Sequence, residues 1–159
     1  MEQPEIQLQD FVTSAELSEV IVSYKSKQKL KVKICKSRDA YEVFSALYDK
    51  DIIEYQEQFY LLLLNRANLV LGWIKLSQGG TSGTFVDPKI IFTLALKTNA
   101  SSIVLCHNHP SGNITPSESD ISLTKKVNMA GQVLDVKLLD HLIISNDEAY
   151  YSFADEGLL

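Results

Sequence analysis

Two of the chain's three histidines lie two residues apart, in the stretch CHNHPSGNITPSESD that runs from Cys106 to Asp120. His107 and His109 come directly after the apolar run SIVLC. In an extended chain, residues two apart face the same way, so both imidazoles point to one side and Cys106 and Asn108 to the other. Neutral imidazole nitrogens are good zinc ligands. Asp120 follows after a turn and can return a carboxylate to the same point. Two nitrogens and one oxygen leave a fourth tetrahedral position for water, as catalytic zinc sites require. A metal held this way lowers the water's pKa and supplies a hydroxide-like nucleophile near neutral pH.

Simpler readings exist for the parts. His-x-His pairs often sit on solvated strand ends. Ser117-x-x-Asp120 also fits a capping box, with Ser117 capping a helix and Asp120 answering from the third position. That box does not explain a histidine pair arriving just upstream. Given this composition, all four residues at this spacing should occur by chance on the order of once in several thousand chains.

The flanking elements can be read from pattern. Residues 102–106 form a short buried strand, residues 110–116 (PSGNITP) are turn-rich, and residues 117–130 form a helix that Gly131 is placed to end. Residues 58–65 (QFYLLLLN) are nearly all apolar, which predicts a strand buried on both faces. A short link then leads to a second strand at 70–76, predicting a hairpin. Residues 87–98 (DPKIIFTLALKT) predict a helix with Asp87 at the N-cap and Pro88 at its first position. Residues 38–49 predict a helix, residues 138–145 and 150–153 further strands, and residues 19–24 and 30–34 short strands near the start. Helices and strands interleave without a strict βαβ period. The expected fold is α/β (α+β), a mixed sheet flanked by helices.

The length of 159 residues suits one domain, and 45% hydrophobic with 22% charged residues is ordinary for a globular protein. No apolar run approaches a membrane span, and MEQPEIQLQD has no basic, apolar leader, so a cytoplasmic address is expected. Cys35 and Cys106 are too few for a disulfide framework or a four-cysteine zinc site. The net charge is −5, yet the basic strip from Lys25 to Arg38 (KSKQKLKVKICKSR) carries seven cations and no acid. Its lysines alternate with Leu30, Val32 and Ile34, which reads as an edge strand whose charges deter edge-to-edge pairing. The other reading is a nucleic-acid or acidic-partner patch. On an acidic chain this predicts at most weak, salt-sensitive DNA contact.

His107-Asn-His109, seven intervening residues, Ser117, two more and Asp120 resemble the JAMM (MPN+) metalloprotease signature. The longer string HNHPSGNITPSESDISLTKK, with the downstream LLDHLIIS and YYSFADEG, resembles the RadC family. The resemblance covers about residues 38–157. It divides the chain into an N-terminal extension with short strands (1–37) and a RadC-like JAB/MPN domain (38–159). It implies a JAMM/MPN-type, cytidine-deaminase-like sandwich with Zn2+ held by His107, His109 and Asp120. It also implies a glutamate just before an apolar strand that moves a proton. Glu57 matches that place, and Glu54 lies three residues further from the strand. The motif serine falls on Ser117, which would support an oxyanion. The implied activity is hydrolysis of an amide bond in a peptide or protein substrate, as by a peptidase or isopeptidase. The alternative is a DNA-repair-associated accessory protein that binds metal without protease activity. Longer RadC-like proteins carry an N-terminal helix-hairpin-helix region, which residues 1–37 do not resemble.

Independently of the resemblance, a carboxylate at the edge of an apolar strand is placed where burial raises its pKa, which suits proton shuttling. Cys106, pointing away from the histidines, reads as a buried core thiol. His141, inside the apolar LLDHLII, reads as a hydrogen-bonded structural histidine, with orientation of a metal ligand as the other reading. The Gly79-Gly80 and Gly83 loop lacks the Gly-Lys-Ser/Thr of a phosphate cradle. It reads as a mobile loop.

Overall fold

A computed structural model describes Ser23 and residues 32–79 and 86–159 of the chain. All but Ser23 of the expected strand at 19–24, half of the basic strip (residues 25–31) and the glycines at 80 and 83 lie outside the described residues. So does most of the proposed extension 1–37. In chain order the elements are α1 (Ser37–Leu47), β1 (Gln58–Leu64), β2 (Val70–Gln78), α2 (Pro88–Lys97), β3 (Ser102–Asn108), α3 (Glu118–Val133), β4 (Lys137–Ile144) and β5 (Tyr150–Ser152). The strands form one sheet in the order β2-β1-β3-β4-β5. β3 pairs parallel with β4, and every other neighbouring pair is antiparallel. This is the mixed sheet flanked by helices that the sequence predicts.

The apolar β1 is buried at every position because both its faces carry core. Tyr60, Leu62 and Leu64 face α1 and pack with Tyr41, Phe44 and Tyr48, while Phe59, Leu61 and Leu63 face Ile91, Phe92 and Val127 of α2 and α3. Alternation along β3 sends Val104 and Cys106 to the α1 side, and Ile103 and Leu105 to the α2–α3 side. Phe44 is fully buried, and truncating such a residue to alanine costs about 3–5 kcal/mol.

α2 begins as the sequence predicts: the Asp87 side chain accepts from the Lys89 amide at 2.9 Å, with Pro88 at the first position. Two boundaries differ from expectation. β3 continues through Asn108, so His107 lies within the strand and only His109 lies past it. Gly131 does not end α3, which runs on to Val133, and the left-handed residue beyond the cap is Asp135 (φ 54°). Gly131 is needed for space instead: a Cβ there would lie 2.3 Å from the Val136 carbonyl oxygen.

Because β3 is the central strand and α3 returns the chain to the parallel β4, the end of β3 and the start of α3 meet at one edge of the sheet. In sheets with parallel pairs, ligand sites gather at that carboxyl edge. The buried polar residues His107, Asn108, Asp120, Thr124 and His141 all belong to these three elements.

Candidate metal centre

His107 sits at the end of β3, fully buried, with its ring stacked on Phe59 at a centroid distance of 5.4 Å and an interplanar angle of 2°. His109 follows one residue past the strand. Its Nδ1 donates to the Asn113 carbonyl at 2.6 Å, since a carbonyl can only accept. In the neutral ring this leaves Nε2 with a lone pair. That Nε2 lies 3.0 Å from the Nε2 of His107.

Asp120 completes the group from the first turn of α3. Its carboxylate lies 3.2 Å from His107 Nε2 and 3.5 Å from His109 Nε2. A reciprocal capping box fixes it there. The Ser117 amide and hydroxyl donate to Asp120 Oδ2 at 2.7 and 2.6 Å, and Ser117 Oγ accepts from the Asp120 amide at 3.3 Å. The capping box and the expected ligand role thus fall on one carboxylate. Burial works against ionisation of Asp120. Contacts with the imidazoles of His107 and His109 and the Ser117 hydroxyl outweigh it and hold the carboxyl well below the usual carboxylate range. The hydrogen bond to Asp120 conversely raises the pKa of His109, against burial, and the charge of Glu57 adds to the rise.

One ligand atom from each of His107, His109 and Asp120 lies within 4.8 Å of the others. This donor set fits a divalent cation. Two imidazole nitrogens and a carboxylate oxygen converge, and a lone pair on His109 meets a nitrogen of His107 at a distance that requires a proton or a cation between them. His109 and Asp120 also line a cleft of ≈ 730 Å³, together with Glu57, Phe59, Lys89 and Ser117, among others.

Glu57 therefore shares the cleft with His109 and Asp120. Glu54 turns elsewhere and accepts from the Asn146 side-chain amide at 2.9 Å. Ser117 lines the cleft too, with its hydroxyl proton directed at Asp120 Oδ2. Cys106 lies on the other face of the sheet, buried, and its thiol pKa is raised by that burial. His141 is fully buried; its Nε2 lies 2.9 Å from His107 Nδ1, and burial pushes its pKa well below the ordinary histidine value.

Asn108 is a contributor that the sequence reading missed. It faces the α1 side and is fully buried. Its Nδ2 donates to the carbonyls of Ile53 and Gln56 at 2.6 and 2.9 Å, and its Oδ1 accepts from the Gln58 amide at 2.7 Å. These bonds clamp the backbone on both sides of Glu57. The residue between the two histidines thus fastens Glu57, the expected proton carrier, to β3. A buried amide in the middle of the His-x-His pair was the available signal.

Among the described residues no helix is long and apolar enough to cross a membrane. Residues 34–158 match the family model of the RadC-like JAB domain. A UPF0758 protein of Flavobacterium johnsoniae is 46% identical over 126 residues, covering 79% of this chain and 53% of the relative. One from Porphyromonas gingivalis is 50% identical over 104 residues, covering 65% of this chain and 46% of the relative. One from Clostridium kluyveri is 37% identical over 146 residues, covering 91% and 61%. The chain spans about half the length of the first two of these curated relatives. With the matching fold, the convergent histidines and aspartate, and a family match over most of its length, the chain belongs to the RadC-like JAB domain family.

Proposed function

We propose that this chain is a zinc-dependent hydrolase of amide bonds, a JAMM-type peptidase or isopeptidase. The observation that carries this reading is the convergence of His107 Nε2, His109 Nε2 and the Asp120 carboxylate beside a cleft that also holds Glu57 and Ser117. Zinc on these three residues would polarise a substrate carbonyl and make water acidic enough to attack near neutral pH. Glu57 takes the attacking water's proton and returns it to the leaving amine. Ser117, rotating its hydroxyl away from Asp120, donates to the oxyanion. Asn108 keeps Glu57 in register with the ligands. Phe59 walls one side of the centre and keeps His107 dry.

The test separates binding from chemistry. Zinc-loaded wild type and Glu57→Gln are incubated with a proteome-derived peptide library and with isopeptide-linked peptides, and new termini are read by mass spectrometry. Glu57→Gln should keep its zinc and lose about 10²–10⁴ in rate, the usual cost of a missing general base. Absence of cleavage by the wild type, or equal cleavage by the variant, would overturn the reading.

A further inference from the structure

We propose that Thr124 and His141 form a tautomer relay that presets His107 as a metal ligand, making both of them positioning residues for the centre. The inference rests on the metal reading above and adds a role for two residues outside the ligand set.

Thr124 Oγ1 lies 2.6 Å from the Asp120 backbone carbonyl and 2.7 Å from His141 Nδ1. The hydroxyl has one proton. The carbonyl can only accept, so that proton goes to it. Oγ1 must then accept from His141, which puts the His141 proton on Nδ1. The neutral ring keeps a lone pair on Nε2, which faces His107 Nδ1 at 2.9 Å. His107 therefore donates from Nδ1 and presents a lone pair on Nε2. That atom points at His109 Nε2 and Asp120 Oδ1, 3.0 and 3.2 Å away.

The opposite polarity is disfavoured by the same distances. If Thr124 donated to His141, its oxygen would face the Asp120 carbonyl at 2.6 Å with no proton between them. His107 would then carry its proton on Nε2, pointing into the metal position.

The rings have little freedom to leave this arrangement. His107 stacks on Phe59, and His141 stacks on Phe153 at 4.9 Å and 11°. The His141 amide donates to Asp140 Oδ1 at 2.8 Å, and the His141 carbonyl accepts from the Phe153 amide at 3.1 Å. Asp120 stands at both ends of the chain of bonds: its carbonyl sets the relay's direction, and its carboxylate is a ligand. Partners of this kind, which fix a ligand's tautomer, typically change metal affinity 10–100-fold when removed.

The probe is zinc itself, titrated into the metal-free chain against a chelating dye. Thr124→Val keeps the shape and removes the hydroxyl, and His141→Phe keeps a ring on Phe153 and removes both nitrogens. Each should weaken zinc about 10–100-fold. Thr124→Ser and His141→Gln retain the donor and acceptor and should stay within a few-fold of wild type. A long-range proton–nitrogen correlation spectrum of the metal-free wild type should show His107 and His141 both protonated on Nδ1, and Thr124→Val should lose that single state at His107. Wild-type zinc affinity in Thr124→Val, or Nε2 protonation of His107 in the wild type, would overturn the relay. A wild type that takes up no zinc would instead defeat the metal reading, while the spectrum still decides the relay.

Discussion

Asn108→Ala is the substitution with the largest stability effect that the site geometry predicts outside the ligands. It strips partners from three backbone groups at once: the carbonyls of Ile53 and Gln56 and the amide of Gln58. Leaving a buried donor or acceptor unpaired costs about 1–3 kcal/mol each. Gln56 is only partly buried, so water can reach some of the freed groups, and the sum settles at about 3–5 kcal/mol. At about 2–4 °C per kcal/mol for a chain of this size, melting should fall by roughly 6–20 °C. Urea unfolding should show a lower midpoint at unchanged slope, which is a change in stability and not in compactness. Hydrogen exchange should accelerate at Gln58. The control is Asn146→Ala, which breaks one exposed hydrogen bond to Glu54 and should stay within about 0.5 kcal/mol. Because the side chain of Asn108 points away from the ligands, zinc affinity should change little while hydrolysis falls with the displaced Glu57. A loss below about 1 kcal/mol would refute the clamp.

Gly131→Ala should destabilise the protein even though alanine favours a helix by about 1 kcal/mol. The new Cβ meets a backbone oxygen at 2.3 Å, and overpacking of this kind costs about 1–3 kcal/mol; an unchanged or raised melting temperature would contradict the close approach. In metal-free protein the buried His141 should impose a pH dependence. Its folded pKa lies well below the unfolded value of about 6.5, so between the two the unfolded chain binds the extra proton and stability falls as pH is lowered below about 6.5. The slope from this one group reaches about 1.4 kcal/mol per pH unit and should vanish in His141→Gln. His109, whose pKa is raised, has the opposite sign, contributing stability below about 6.5 that is lost as pH rises, and it cancels in the comparison because both proteins carry it. Equal pH profiles for the two proteins would show that His141 is not held neutral.

Local signals made much of this legible. The unbroken apolar run of β1 predicted burial on both faces, Asp87-Pro88 predicted the start of α2, and alternation sent Cys106 away from the histidines. The spacing of His107, His109, Ser117 and Asp120 identified the residues that the fold brings together. What stayed hidden depends on contacts distant in sequence. Asn108 meets residues some fifty positions earlier, and His141 meets Thr124 only because α3 crosses back to lay β4 beside β3. Gly131 was misread because glycine as a helix stop and glycine as a close-contact residue look the same in sequence. The Val136 carbonyl that distinguishes them belongs to the chain beyond the helix.

The central claim is that His107, His109 and Asp120 hold zinc. Elemental analysis of protein purified without added metal tests it directly, with a His107→Ala/His109→Ala double variant prepared alongside. About one zinc per wild-type chain and almost none in the double variant is the expected result, since one remaining carboxylate cannot retain the ion. Undiminished zinc in the double variant, or none in the wild type even after zinc is supplied, would contradict it.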